Sequence, residues 1–109
     1  MSGLSTHVLD LTTGRPAVGV RITLTMKGYP AMEGVTDHDG RCKNLLGDQP
    51  LLMGRHQITF DIGSYFAANG HDQVFLHVVT FDFEITKPDE HHHVPLLATP
   101  FAASTYRGS

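Results

Sequence analysis

Hydrophobic and polar residues alternate one by one along several stretches of this chain, and this period of two constrains the fold more than any other feature. The longest such stretch covers residues 18–26, and residues 81–85 repeat the pattern. The hydrophobic members of the longer stretch are Val18, Val20, Ile22, Leu24 and Met26. Successive side chains of a β-strand point to opposite faces, so both stretches are predicted to be half-buried strands with a polar outer face.

Turn-forming residues divide the rest of the chain into further short segments. Further strands are predicted at residues 4–10, 31–36, 42–46, 55–61, 93–98 and 102–106. Gly and Pro predict a loop at residues 12–16, and the pair Asp39-Gly40 favours a tight hairpin turn. A Ser cap and a final Asn-Gly predict one short helix at residues 64–70.

Eight short strands separated by turns, with one short helix, are typical of an all-β fold in which two sheets pack face to face as a β-sandwich. The chain has 109 residues and shows no internal repeat, linker or low-complexity tract. This length fits one domain over residues 1–109.

Composition excludes several classes of partner. The formal net charge of -3 provides no basic field, so we expect no nucleic-acid partner. No stretch approaches the roughly 20 apolar residues that span a bilayer, and residues 1–7 lack the basic and apolar regions of a signal peptide. We therefore expect no membrane partner and a cytoplasmic location. The single cysteine, Cys42, allows no intrachain disulfide and is expected to be a buried, unreactive thiol.

Histidine is unusually abundant, with eight copies in 109 residues. Imidazole serves proton transfer near neutral pH and is also the commonest metal ligand. In a strand, His91 and His93 would point to one face and His92 to the other. No Cys-x-x-Cys or His-Glu-x-x-His pattern supplies further ligands, so no bound metal is expected. A metal site at residues 91–93 and solvated surface histidines without a role stay open as alternatives.

Three other features are compatible with chemistry or with a purely structural role. His7 lies in an otherwise apolar and small-residue strand, where a polar side chain is costly unless it has a partner. Arg41 follows the Asp39-Gly40 turn, either as a surface charge or as a guanidinium that binds a planar ligand. The last eight residues are mostly small or hydroxyl-bearing and could be disordered, form an edge strand, or fold into a site. Periodicity does not choose among these.

Three blocks of the sequence resemble the 5-hydroxyisourate hydrolases, the transthyretin-like enzymes of urate breakdown. The first is Leu-Ser-Thr-His-Val-Leu-Asp at residues 4–10 followed by Gly-Arg-Pro-Ala at 14–17, and the second is Thr-Asp-His-Asp-Gly-Arg at 36–41. The third runs from His-His-His-Val-Pro-Leu-Leu at 91–97 to Ser-Thr-Tyr-Arg-Gly-Ser at 104–109. Their order and spacing cover nearly the whole chain, and the final Tyr-Arg-Gly-Ser is what separates these enzymes from transthyretin itself.

The resemblance implies a two-sheet, eight-strand prealbumin-like (transthyretin-like) sandwich that assembles as a homotetramer, a dimer of dimers, with active sites at the dimer–dimer interface. It implies no metal and no other cofactor. By position it implies these catalytic residues: His7, Arg41, His93 and Ser109. The substrate-binding residues that it implies are His7, Arg41, His91, Tyr106, Arg107 and Gly108.

The implied reaction is hydrolysis of 5-hydroxyisourate to 2-oxo-4-hydroxy-4-carboxy-5-ureidoimidazoline (OHCU), on the route from urate to allantoin. Water adds to a ring carbonyl and the six-membered ring opens, which requires a base, an oxyanion stabiliser and an acid for the leaving nitrogen. We expect His7, assisted by His93, to activate the water, and Arg41 to bind the ring oxygens. Tyr106 would orient the substrate with the other tail residues, and the Ser109 hydroxyl or terminal carboxylate would polarise an imidazole.

A few positions depart from the family pattern. His92 stands where a His-Tyr-His motif is usual, residues 98–99 and 102–103 differ from the common Leu-Ser and Gly-Tyr, and the usual Pro-Phe-Phe-Pro is missing near residues 72–75. These changes are expected to alter packing or loosen a pocket wall. None removes a group that is expected to be catalytic.

Two other functions stay open. A transthyretin-like sandwich could bind a small aromatic molecule in its tetramer channel without catalysis. A hydrophobic carrier channel has no need for converging imidazole and guanidinium groups, so His7, Arg41 and His93 favour the hydrolase. The second alternative is a metal-binding protein that uses residues 91–93, which stoichiometric metal in an elemental analysis would support.

Overall fold

The computed structural model describes residues 3–109. Met1 and Ser2 lie outside the described residues. They belong to residues 1–7, for which the sequence predicts no signal peptide. The elements, in chain order, are β1 Gly3–Asp10, β2 Arg15–Pro16, β3 Arg21–Met26, β4 Met32–Val35, β5 Gly54–Asp61, α1 Ile62–Ala68, β6 Val78–Ile85, β7 His91–Ala98 and β8 Ala103–Ser104. Eight strands and one short helix confirm the predicted all-β class.

The strands form two four-stranded sheets. Sheet I has the order β2-β1-β7-β8, and sheet II has the order β4-β3-β5-β6. Strands β1 and β7 pair in parallel, whereas every other named pair is antiparallel. The parallel pair joins the first strand of the chain to its seventh, which brings residues near both ends of the sequence side by side.

The hydrophobic core lies between the two sheets and is built by the alternation seen in the sequence. In β3, the buried side chains are Ile22, Leu24 and Met26, while the residues between them are exposed or half-buried. Sheet I contributes Val8 and Leu96 to the same core cluster. Burying side chains of this size stabilises the fold by about 1.5–3 kcal/mol each relative to leaving them exposed.

Helix α1 begins two residues earlier than its sequence pattern predicts. Its N-cap is Asp61 rather than Ser64, because the Asp61 carboxylate accepts hydrogen bonds from the Ser64 backbone N–H at 3.2 Å and from the Ser64 hydroxyl at 2.9 Å. The helix ends before Asn69. It has seven residues, and the described part of the chain holds no helix that is long and apolar enough to cross a membrane.

The predicted strand at residues 42–46 is wrong. None of these five residues lies in a strand. Arg41, just before them, forms an isolated bridge to His7, and the chain then turns through Asn44, whose φ of 63° is incompatible with a strand. The hydrophobic residues of this segment serve the core from the turn: Cys42 is a buried free thiol, and its Sγ occupies the space above Gly34.

Other strand boundaries also differ from their predictions. The predicted loop at residues 12–16 contains the short strand β2, which pairs with Leu9 and Asp10. The alternation at residues 18–26 extends beyond the strand, since Val18 is 53% exposed and β3 starts only at Arg21. Strand β7 starts at His91, two residues before the predicted start, because it pairs with β1 along its whole length. Strand β8 has two residues, whereas a strand over residues 102–106 was predicted.

Candidate active site

The candidate site lies on the outer face of sheet I, the face turned away from the core. Parallel partners point to the same side of a sheet, and β1 and β7 are paired so that Ser5 lies opposite His93. His7 follows Ser5 by two positions and His91 precedes His93 by two, so all four share this face. The intervening Thr6, Val8, His92 and Val94 point inward and are buried.

Ser5 joins the two histidines of β7. Its Oγ lies 2.8 Å from Nε2 of His91 and 2.7 Å from Nδ1 of His93, at hydrogen-bond distance from both rings. These bonds fix the orientation of both imidazoles. They also leave Nε2 as the ring nitrogen of His93 that is free for other contacts.

Arg41 reaches this face from the turn that precedes it. Its backbone forms an isolated antiparallel bridge with His7. The Asp37 carboxylate accepts hydrogen bonds from the backbone N–H groups of Asp39 at 2.9 Å and Arg41 at 3.1 Å. The bond from Arg41 is the chief reason that the pKa of Asp37 lies below its ordinary value. Asp37 therefore holds the turn in the shape that presents Arg41 beside His7.

Gly40 allows the turn to approach β1 closely. Its φ is +74°, and its carbonyl accepts a hydrogen bond from the Val8 N–H at 2.8 Å. A Cβ at this position would lie 2.7 Å from the Val8 carbonyl oxygen and 3.2 Å from Cδ2 of His7. Only glycine combines this backbone conformation with this contact.

The C-terminal tail lies against β7 beside His93. The backbones of His93 and Gly108 exchange two hydrogen bonds, of 3.0 and 2.7 Å. A Cβ on Gly108 would lie 3.0 Å from Cβ of His93, which is tighter than almost all Cβ contacts, so the absence of a side chain favours this close approach. Arg107 extends the attachment, because its guanidinium donates to the Glu90 carboxylate at 3.2 Å and to the His91 carbonyl at 3.4 Å.

The other two tail residues predicted for the site, Tyr106 and Ser109, line two separate depressions of the surface. Ser109 lines a shallow depression next to His91, together with Asp89, Glu90 and Arg107. Tyr106, 58% exposed, lines a different groove between the sheet edges, with Phe81, Phe83 and Val94 among its walls. Within this single chain, the structure therefore brings together the predicted His7, Arg41, His91, His93 and Gly108, and it does not bring the Tyr106 ring to them.

The His93 ring is partly buried and lies close to the positive charge of Arg41. Partial burial is the main cause that lowers its pKa below the ordinary imidazole value, and the positive charge of Arg41 lowers it further. Protonation of His7 or His91 would act in the same direction. His93 is therefore kept neutral and able to accept a proton at neutral pH.

The three consecutive histidines do not converge on one point. His92 is buried on the core side of β7, where its Nδ1 donates to the Glu90 carbonyl oxygen at 2.9 Å. A single ion held by all three rings does not fit this arrangement. Within residues 3–109, the cluster that does gather three metal-binding side chains is Asp37, His38 and Asp39, and its Asp37 carboxylate already accepts hydrogen bonds from the turn before Arg41.

Ser5 and Asp37 were not predicted as site residues, although both contact those that were. The sequence carries a signal for Ser5, because it stands two positions from His7 and must share its face in a strand. Its partners, 86 and 88 residues away in sequence, follow only from the pairing of β1 with β7. Asp37 belongs to a turn that was predicted, but its bond to Arg41 was not.

Known proteins resemble this chain along its whole length. A curated 5-hydroxyisourate hydrolase of Caulobacter vibrioides is 41% identical over 116 aligned residues, which cover 100% of both chains. The solved structure of Klebsiella pneumoniae 5-hydroxyisourate hydrolase superposes with a TM-score of 0.86 at 39% identity, covering 100% of this chain and 94% of that one. The solved structure of sea bream transthyretin in complex with thyroxine also superposes with a TM-score of 0.86, at 28% identity, covering 96% of this chain and 93% of that one.

A longer protein contains a similar unit. The solved structure of an (S)-allantoin synthase superposes with a TM-score of 0.86 at 42% sequence identity. The match covers 97% of this chain but only 43% of that one. The model of the HIUase/Transthyretin family matches residues 4–108, which is nearly all of the described fold and includes every site residue except Ser109. By sequence, fold and length of match, this chain belongs to the HIUase/Transthyretin family.

Proposed function

We infer that this protein hydrolyses 5-hydroxyisourate to OHCU in the breakdown of urate to allantoin. One observation carries the inference: a full-length relationship to proteins of that name coincides with two imidazoles and a guanidinium on one sheet face. Such groups can supply a base, an acid and a permanent cation for opening a cyclic amide. The protein is a hydrolase.

His7 and His93 are the groups that move protons in this proposal. A neutral imidazole takes a proton from water while the water oxygen bonds to the ring carbonyl carbon. The carbon–nitrogen bond then breaks, and the leaving nitrogen takes a proton from the imidazolium. The low pKa of His93, caused by its burial and by Arg41, favours the neutral form that this first step requires.

Arg41 binds the substrate and stabilises charge. Its guanidinium offers several donors in one plane, which match the carbonyl oxygens of a planar ring and the oxyanion that forms during attack. The tail residues Tyr106, Arg107, Gly108 and Ser109, with His91, orient the substrate and complete the wall. Support for the tail comes from its pairing with His93 and its attachment to Glu90.

The active assembly is a homotetramer in which two dimers face each other across their sites. The open outer face of sheet I supports this, because a facing subunit would exclude water and strengthen the electrostatic interactions of Arg41. Tyr106 of a facing subunit could then complete the wall. Sedimentation should give four times the chain mass, and a monomeric active enzyme would contradict the proposal. The cytoplasmic location stays a prediction.

Ligand binding without catalysis is the alternative, and the transthyretin in complex with thyroxine represents it. That structure is 28% identical to this chain, compared with 41% for the Caulobacter hydrolase. The converging polar groups also favour hydrolysis, since an apolar ligand would leave them desolvated and unpaired.

Spectroscopy of an unstable substrate tests the function directly. Urate oxidase converts urate to 5-hydroxyisourate, the oxidase is removed by rapid filtration, and the ultraviolet decay is followed with and without this protein. We expect decay above the spontaneous rate, in proportion to protein concentration. Arg41→Gln, which replaces the guanidinium with a shorter, neutral amide, serves as the inactive control and should be close to the spontaneous rate.

The carrier alternative predicts a different result. Unchanged decay at every protein concentration, together with saturable binding of thyroxine in calorimetry, would establish the binding module and overturn the hydrolase.

A further inference from the structure

Ser5 occupies an unusual position for a residue outside the predicted site. A serine hydroxyl carries one proton, and here it lies between two ring nitrogens, 2.8 Å from Nε2 of His91 and 2.7 Å from Nδ1 of His93. The hydroxyl can donate to only one of them and must accept from the other if both bonds are made. The protonation states of the two rings are thereby linked.

Two arrangements of protons satisfy both bonds when the rings are neutral. In one, His91 donates from Nε2 and Ser5 donates to Nδ1 of His93, which places the proton of His93 on Nε2. In the other, His93 donates from Nδ1 and Ser5 donates to Nε2 of His91, which leaves Nε2 of His93 with a free lone pair. Only the second arrangement allows His93 to act as a base.

We propose that Ser5 is a positioning residue that passes a proton between His93 and His91 during turnover, an inference that rests on the proposed hydrolysis. When Nε2 of His93 gains a proton from water, the bond between Nδ1 and its proton breaks and a new O–H bond forms on Ser5. The original Ser5 proton passes to Nε2 of His91. The positive charge moves from His93 to His91, and the reverse transfer returns a proton to Nδ1 of His93 when its Nε2 gives a proton to the leaving nitrogen.

The surroundings of the two rings give this transfer a direction. The Arg41 cation and His7 lower the pKa of His93 in addition to the effect of burial. On the side of His91, the Glu90 carboxylate is paired with Arg107, whose guanidinium also donates to the His91 carbonyl. The positive charge therefore leaves a ring, His93, on which partial burial and the Arg41 cation oppose it.

Geometry in the strands makes Ser5 the residue that can perform this role. It lies opposite His93 in the parallel register, whereas Gly3 lies opposite His91 and offers no side chain. The serine and both rings are partly buried, which limits competition from bulk water.

The test compares Ser5→Ala with Ser5→Thr, which keeps the hydroxyl. We expect Ser5→Ala to lower kcat by roughly tenfold to a hundredfold, less than loss of the base itself, with little change in KM. Ser5→Thr should restore most of kcat. Ser104→Ala, which removes an exposed hydroxyl from β8, is the control and should match the wild type. Thermal unfolding of each variant checks that the fold is intact.

Nitrogen-15 NMR of the imidazoles provides a readout that does not depend on turnover. In the wild type, His91 and His93 should titrate as a coupled pair, with one proton taken up before the second and the tautomers interdependent. In Ser5→Ala they should titrate independently. Independent titration in the wild type, or unchanged kcat and pH profile in Ser5→Ala, would overturn the proposal. Coupled titration without any hydrolysis would instead overturn the proposed function, and with it the transfer during turnover, and would leave only the coupling of the two rings through Ser5.

Discussion

His7 and His93 reach the same face of sheet I from different strands, and neither has a neighbour in sequence that would reveal the other. The sequence predicted both as candidates through their positions in resembling blocks. It could not predict that Nδ1 of His93 is occupied by Ser5, because that bond depends on side-chain orientation across the β1–β7 pair. The structure thus determines which ring nitrogen remains available, and this is a detail that any mechanism needs.

Loss of either imidazole should affect chemistry more than folding. We expect His7→Ala and His93→Ala each to lower kcat by about 10²- to 10⁴-fold, the usual contribution of a well-placed acid–base group. The control is His77→Ala, which removes an exposed histidine next to sheet II. Stopped-flow decay of 5-hydroxyisourate measures the rates, and circular dichroism checks the fold.

The pH profile adds a second check on the same residues. Because the folded pKa of His93 is lowered, this ring stays neutral as the pH falls through the ordinary imidazole value of 6.5. Protonation of His93 should therefore lower kcat/KM only below pH 6.5. Near-normal turnover in both alanine variants would contradict the assignment of the bases.

The turn of residues 37–41 is a secondary-structure element whose main contribution to the site is the placement of one side chain, Arg41. Its hairpin character was predicted from Asp39-Gly40, and its close contact with β1 was not. Gly40 fits against the Val8 carbonyl and Pro16, which are brought there by the pairing of β1 with β2. Arg41 is therefore positioned by the turn and not by a strand that follows it.

A pair of glycine substitutions separates backbone strain from this contact. Gly14 and Gly40 share a φ of +74°, but a Cβ at Gly14 would meet nothing within 4 Å. We expect Gly14→Ala to lower the free energy of unfolding by about 1–2 kcal/mol through left-handed strain alone, with unchanged turnover. Gly40→Ala should lose more stability and much of its activity, because Arg41 and His7 must move.

Urea unfolding and steady-state rates measure the two effects. Equal activity in Gly14→Ala and Gly40→Ala would show that the close approach of the turn has no role in placing Arg41.

Across the whole molecule, sheet I and helix α1 are tied together by a buried carboxylate. Asp10 is 2% exposed and accepts hydrogen bonds from the backbone N–H and the hydroxyl of Thr12, at 2.8 and 2.6 Å, and from the Tyr65 hydroxyl at 2.8 Å. Burial raises the pKa of Asp10, but these bonds together lower it below 3.8. Burial and the bond to Asp10 raise the pKa of Tyr65 to about 12, so the phenol remains a donor.

Removing the phenol should weaken this tie in a pH-dependent way. Tyr65→Phe is expected to lower the free energy of unfolding at pH 7 by about 1.5–3 kcal/mol, the usual contribution of a hydrogen bond to a charged group. A carboxyl with a lowered folded pKa stabilises the fold above its unfolded pKa, and this contribution is lost as the pH falls. The difference from the wild type should therefore shrink below pH 3.8.

Tyr29→Phe is the matched control, because the side chain of Tyr29 is exposed, and it should have little effect at any pH. Guanidinium unfolding monitored across this pH range measures both variants. A Tyr65→Phe deficit that persists unchanged into strong acid would mean that the ionised Asp10 is not its source.

The period of two in the sequence is enough to specify the class of fold, because it buries alternate side chains whatever their partners are. The motifs of the sequence also identify His7, Arg41 and His93 as candidates. Packing in three dimensions, in contrast, makes residues 42–46 turn instead of extending, makes Asp61 the cap of the helix, and brings Ser5 to two histidines more than eighty residues away. Local periodicity specifies which face a residue occupies, whereas strand order and register arise from the packing of the whole core and specify which residues meet on that face.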